Sequence, residues 1–162
     1  MGGTQRDYYL LRALRIPYNE DHKQKMLSFF EEHIGDQDAK LYLGGYGNFD
    51  QFAYSCGKEY QKKHGNVELV FVRPYLDERY QKSKSDYGAN IYDAIIYPEL
   101  ERVPYRIAII RRNQWMVEQA DLVVAYITHR FGGAYTTYRY AMQKKKSIFL
   151  LSDIPVKQLL DH

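Results

Sequence analysis

Short apolar runs recur along the chain, each too brief for a helix: VELVFV at 67–72, LVVAYI at 122–127 and SIFLL at 147–151. A strand apolar on both faces must be covered on both sides, and a parallel sheet lying between two helical layers meets that demand. The segments between these runs carry the matching helical period. In NEDHKQKMLSFFEEHIG, residues 19–35, Met26, Leu27, Phe30 and Ile34 share one face, with Asn19 as N-cap and Gly35 as C-cap. KLYLGG reads as a short strand, and a helix follows it. There Phe49, Phe52, Ala53, Cys56 and Tyr60 recur at helical spacing, Asn48 and Gln51 have capping-box spacing, and His64-Gly65 makes a fitting end. Further helices are predicted from Pro104 to about Gln119 and over 132–145. YDAIIYP fits a short strand or a helical turn, and QKSKSDYG, within the irregular stretch 75–103, reads as an exposed loop. YYLLRALRI is assigned as the first strand in preference to a helix. The expected fold class is α/β, a three-layer domain with a mainly parallel central sheet. It is taken as one domain over residues 1–162, with residues 1–7 standing outside it.

Composition narrows the function classes. The chain has 162 residues and a net charge of +3, too small without a clustered patch to indicate nucleic acid, so no nucleic-acid partner is expected. The lone Cys56 excludes an intrachain disulfide, no apolar run approaches the ~20 residues of a membrane span, and nothing resembles a signal peptide. A cytoplasmic protein with no membrane partner is expected. Tyrosine is abundant at 17 residues, which suits cores, pockets and interfaces alike.

Two glycine turns stand at strand ends. Gly44-Gly45-Tyr46-Gly47 passes from a strand into a helix, at the carboxyl edge where open α/β sheets bind ligands. Glycines let backbone approach an anion closely, and a helix start supplies N–H donors and a positive dipole end. Gly132-Gly133 makes a second such turn, with Thr136 and Thr137 in the first helical turn, where their hydroxyls can cap the helix or reach an anion. The two turns are expected to face each other across a switch point of the sheet. Arg73, Arg130 and Arg139 are further anion donors. Asn113 lies on an apolar stripe with Ile109, Met116, Val117 and Ala120, so its amide needs a partner, either backbone or ligand.

Several familiar chemistries lack their residues. GGYGNFD is not a G-x-G-x-x-G, and the next strand ends in Arg73 rather than an acid for a ribose. There is no Walker-type loop and no G-x-S-x-G. The histidines have no metal-ligand spacing, with His33 and His64 reading as helix-end residues. Cys56 sits on a core stripe, which disfavours it as a nucleophile. No metal and no cofactor are expected.

Together, GGYGNFDQFA, RRNQWMVEQADLVVAYI and FGGAYTTYRYA resemble the SLOG superfamily of Rossmann-like proteins, over roughly residues 38–152, and within it a small bacterial and phage branch. The resemblance implies a Rossmann-like domain with one ligand cleft at the carboxyl edge, generally used for nucleotides or molecules derived from them, and often a homodimer or higher homo-oligomer. Gly44, Gly45, Gly47, Asp50, Arg112, Asn113, Gly132, Gly133 and Thr136 match its motif positions. Two departures stand out. The N-terminus lacks the Gly-His-Arg type turn usual in that branch. The Lonely-Guy phosphoribohydrolases of the superfamily carry sugar-handling glutamates where this chain has Tyr138 and Arg139, and no Asp or Glu occurs between Asp121 and Asp153.

The expected function is therefore sensor-type binding of a phosphorylated nucleotide-like molecule without catalysis. The two turns, including Asn48 at the first, would cradle phosphate. Arg73 or Arg139 would neutralise it, Asn113 would orient the ligand, and Tyr46 or Tyr135 would stack on a base. An enzyme reading, nucleoside or nucleotide N-glycosidase or ribosyltransferase, needs a carboxylate near the anomeric carbon, and Asp50 or Glu118 would supply it. A third reading is a non-catalytic oligomeric scaffold.

Overall fold

A computed structural model describes residues 18–44, 47–74, 92–98 and 103–152, and the backbone alone of 6–11. Six strands form one sheet: β1 (Arg6–Leu11), β2 (Ala39–Leu43), β3 (Val67–Val72), β4 (Ala94–Ile96), β5 (Leu122–Ala125) and β6 (Ser147–Leu150). Every neighbouring pair is parallel, in the order β4-β3-β2-β1-β5-β6. Among the described residues four helices cover it: α1 (Glu20–His33), α2 (Gly47–Lys63), α3 (Tyr105–Gln119) and α4 (Gly132–Gln143).

Alternation along the strands sends side chains to two separate cores. Leu41 and Leu43 of β2, Leu69 of β3 and Val124 of β5 pack with Met26, Phe29 and Phe30 from α1, Ile34 at its C-cap, and Phe49, Ala53, Cys56 and Tyr60 from α2. Tyr42, Val70, Val72, Val123 and Ala125 point the other way, against Met116 and Val117 of α3 and Tyr138 and Ala141 of α4. The architecture is the three-layer, Rossmann-like sandwich that the apolar runs demand. α2 lies very close to the sheet at Gly57, where a Cβ would stand 2.6 Å from Leu69 Cδ2.

Most helix faces match their sequence period. Asn19 caps α1: its Oδ1 accepts from His22 N at 3.0 Å, while His22 Nδ1 accepts from Asn19 N at 3.2 Å. Gly35, just beyond the helix, has φ +54, a conformation that favours glycine. YDAIIYP supplies strand β4, the first of its two expected readings. Three details differ from expectation. β1 begins at Arg6, so residues 6 and 7 belong to the fold. α2 begins at Gly47, which puts Asn48 inside the first turn rather than at its cap. β6 is an edge strand with Ile148, Phe149 and Leu150 only half-buried, because the sheet ends there. QKSKSDYG lies outside the described residues.

Candidate functional site

All six strands point the same way, so their carboxyl ends share one edge, and the strand order reverses between β1 and β5. Crossovers from neighbouring strands leave toward opposite faces at such a point, opening a crevice at the edge. The segment after β5 enters it directly: Tyr126 and Ile127 are buried, whereas His129, Arg130, Phe131, Gly132 and Gly133 are exposed. α4 then starts with no side-chain cap at Phe131 and no acid in its first turn. The positive end of its dipole is therefore not offset by an acid of the helix's own first turn.

The two glycines differ. Gly132 has φ +87, which favours glycine for conformational reasons alone. Gly133 has no such φ, and nothing lies within 4 Å of where its Cβ would stand. Its side of the helix start is open. Thr136 and Thr137 do not reach outward: their hydroxyls donate to the carbonyls of Gly132 at 3.0 Å and Gly133 at 2.9 Å, bonding back along the helix. Arg139 is exposed on the same face as Gly132 and Thr136, about 10 Å along the axis from the helix start.

The first glycine turn sits elsewhere than expected. It follows β2, and β1 separates β2 from β5, so the two turns stand two strand spacings apart, about 10 Å. Their helices also lie on opposite faces of the sheet. Only the second turn adjoins the switch point. Gly45 and Tyr46 lie outside the described residues, as does the side chain of Asn48. Gly44 has an internal explanation. Arg112, 4% exposed, donates from Nη1 to the Gly44 carbonyl at 3.1 Å, and a Cβ on Gly44 would stand 3.3 Å from its Nη2. Arg112 Nε and Nη2 also donate to Asn113 Oδ1, at 3.2 and 3.1 Å. Asn113 thus bonds to a neighbouring guanidinium, a partner that neither expected alternative included.

Arg73, 3% exposed, follows β3 at the same edge, with its guanidinium over the rings of Phe71 at 5.5 Å and Tyr97 at 6.0 Å. Burying a cation against aromatic faces is favourable for fold and ligand alike. Asp50 is 3% exposed in the first turn of α2. Desolvation chiefly, with Tyr126 and the Asp50 charge adding to it, pushes the Tyr18 phenol up. The Tyr18 ring stacks on Phe52 at 4.5 Å and meets Tyr126 edge-on at 5.4 Å, and its hydroxyl is buried with no hydrogen-bond partner among the described residues.

Glu118 lies at the other edge. It ends α3 just before β5 begins; Tyr140 donates to its carboxylate and Lys146 Nζ to its carbonyl. Since Leu122 and Ser147 pair at the amino ends of β5 and β6, Glu118 stands across the sheet from the crevice. Tyr138 is core, 3% exposed. Tyr135 is half-buried and stacks on it at 6.3 Å. The exposed aromatic pair His129 and Phe131, stacked at 5.0 Å and 14°, is the feature that sequence reasoning missed. Its one signal was an aromatic directly before the glycine pair, in HRFGG.

No protein-family model and no curated protein matches the sequence. Solved structures do share its fold. DNA processing protein A from Helicobacter pylori, described for its single-stranded DNA binding mode, superposes with a TM-score of 0.60 at 16% identity, over 90% of this chain and 64% of that one. DNA processing protein A (DprA) from Streptococcus pneumoniae gives 0.61 at 12% identity, over 90% of this chain and 50% of that one. The chain thus spans only part of either protein, and the likeness is one of fold. It overturns the expectation that nucleic acid is no partner. The Helicobacter protein, which shares this fold, is described as binding single-stranded DNA, so a net charge of +3 does not dismiss a strand. Among the described residues no helix is long and apolar enough to cross a membrane.

Proposed function

We propose that this chain is a SLOG-type binding domain that holds a phosphorylated nucleotide unit, free or within a strand, at the crevice beside β5, and does not turn it over. The observation that carries this reading is the start of α4. It is an uncapped helix N-terminus at the strand-order reversal, with no acid in its first turn and open space at Gly133. Phosphate lies against the first N–H groups of α4, and Arg130, exposed beside them, adds positive charge. Arg112 and Asn113 act at one remove, fixing the end of β2 relative to α3. Arg73 lies too deep to meet a ligand at the rim of β5, and its place is the floor of the edge near β3 and β4.

A thermal-shift screen against nucleotides, cyclic nucleotides, ADP-ribose derivatives and short oligonucleotides tests this, with chromatographic recovery of each ligand. A ligand at 100 times its dissociation constant stabilises the fold by about 2.7 kcal/mol, several degrees in Tm. Gly133→Asp is expected to abolish the shift by placing a carboxylate where phosphate sits. The fold should tolerate it, because an acid in the first turn favours the dipole by about 0.3–1 kcal/mol. An unshifted Gly133→Asp affinity would refute the site.

A second reading draws on one observation. Asp50 is a buried carboxylate at the same edge, the one candidate acid left to an N-glycosidase once Glu118 is placed across the sheet. Recovery of free base, lost in Asp50→Asn, would replace binding by hydrolysis.

A further inference from the structure

Phe131 is 67% exposed, more than Ile107 at 43% or Ile110 at 48%. The turn does not force this residue type: its φ of −150 and ψ of 168 are extended backbone open to any residue. It occupies the N-cap of α4, where Asn, Asp, Ser or Thr would supply a bond to the helix start, and it supplies none. The position thus forgoes both burial and a cap. It presents instead a flat aromatic surface, because the His129 ring lies parallel to it.

Positive charge lies beside the pair: Arg130 stands between its two rings in the sequence and Arg139 is exposed on α4, while from Asp121 to Asp153 the sequence holds no carboxylate. An aromatic face beside positive charge fits a flat group joined to an anion. Sites for small molecules bury most of their ligand, whereas this pair stands on the open rim. A rim ring suits a base whose backbone continues past it on either side.

We propose that the stacked Phe131–His129 pair is a platform for one base of a single-stranded nucleic acid, with the adjoining phosphate at the start of α4. This rests on the nucleotide-site reading and commits it to a strand. Stacking of this kind tolerates any base, since every base has a π-face, so little sequence preference is expected.

The test is fluorescence anisotropy of a labelled oligothymidylate of about twelve nucleotides, within the span of common single-strand sites, with unlabelled mononucleotide as competitor. Phe131→Ala should weaken strand binding about 5- to 150-fold, the range of one lost base stack. Phe131→Trp should preserve it. The slope of affinity against salt should match wild type in Phe131→Ala, because no phosphate contact is removed. Because Phe131 is exposed, thermal melting of both variants should overlay wild type. Wild-type affinity in Phe131→Ala, or no wild-type binding to the oligonucleotide or to a mixed-sequence strand, overturns the platform. So does a mononucleotide that competes as well as the strand and loses equally from Phe131→Ala, which would make this a small-molecule site. Loss in Gly133→Asp with full binding in Phe131→Ala rejects the platform and keeps the phosphate site. The reverse pattern keeps the stacking surface and rejects α4 as the phosphate holder.

Discussion

Arg112 shows how a residue matching a binding motif can act inside the protein. Its guanidinium spans from α3 to the end of β2, donating to the Gly44 carbonyl and to Asn113 Oδ1. Buried charged hydrogen bonds are expensive to break from one side, since the partner left behind keeps its desolvation cost. Arg112→Met keeps the length of the side chain and removes these donors. It should lower stability by about 2–3 kcal/mol, read as a lower urea midpoint at unchanged slope. In a double-mutant cycle with Asn113→Ala the two losses should fall short of additivity by more than about 0.5 kcal/mol. Additive losses would mean that Asn113 gains nothing from Arg112. The sequence marked Asn113, because a polar amide on an apolar stripe must find a partner, and Arg112 only through the family resemblance. It could not name the partner, since an adjacent arginine looks like a surface group until the fold turns it inward. Phe131 is the converse case. Aromatics usually fill cores, and only the structure shows this ring left outside.

At the scale of the element, helix periodicity was the most legible signal. Phe49, Ala53, Cys56 and Tyr60 are all buried, and Phe52, at the margin of the stripe, is half-buried. Cap chemistry was less legible. The Asn48–Gln51 spacing suggested a capping box for α2, but that helix begins at Gly47, before Asn48, and among the described residues a box forms at α1, between Asn19 and His22. A histidine in the third helical position falls outside the usual Ser/Thr and Glu/Gln pattern, although its Nδ1 accepts from the cap backbone as a carboxylate would. Asn19→Ala should therefore cost about 1 kcal/mol of stability, while Asn48→Ala should cost clearly less. Chemical denaturation of the two variants side by side checks this, and equal costs would contradict the assignment. The two glycine turns were read correctly as strand-to-helix passages. Their mutual position was not legible, because strand order in space is set by crossovers that leave no mark in local sequence. β1, contributed by the N-terminal segment, lies between them.

At the scale of the whole molecule, tyrosine ties the fold to pH. Burial is the largest cause raising the phenols of Tyr18, Tyr54, Tyr92, Tyr138 and Tyr140, and it pushes Tyr140 up to about 12, with the Glu118 carboxylate assisting. The Cys56 thiol is likewise pushed up to about 12, chiefly by burial. An unfolded phenol releases its proton near pH 10 and an unfolded thiol near 8.5. Through the window above those values the folded protein holds protons that the unfolded chain gives up. Stability from these groups is complete below about pH 8.5, where every one is protonated in both states. It is lost as pH rises through the folded values. Urea midpoints should therefore be level near neutrality and fall steadily above pH 10. An ultraviolet titration should show a steep phase of tyrosine ionisation coincident with loss of helical circular dichroism. Tyr140 is the least enclosed of the five, so Tyr140→Phe should change the curve little, while Tyr18→Phe should flatten its onset. If all tyrosines titrate near pH 10 with the helices intact, the crevice around Tyr18 admits water. The aromatic cluster joining α1, α2 and β5 would then be an open part of the ligand site rather than its wall.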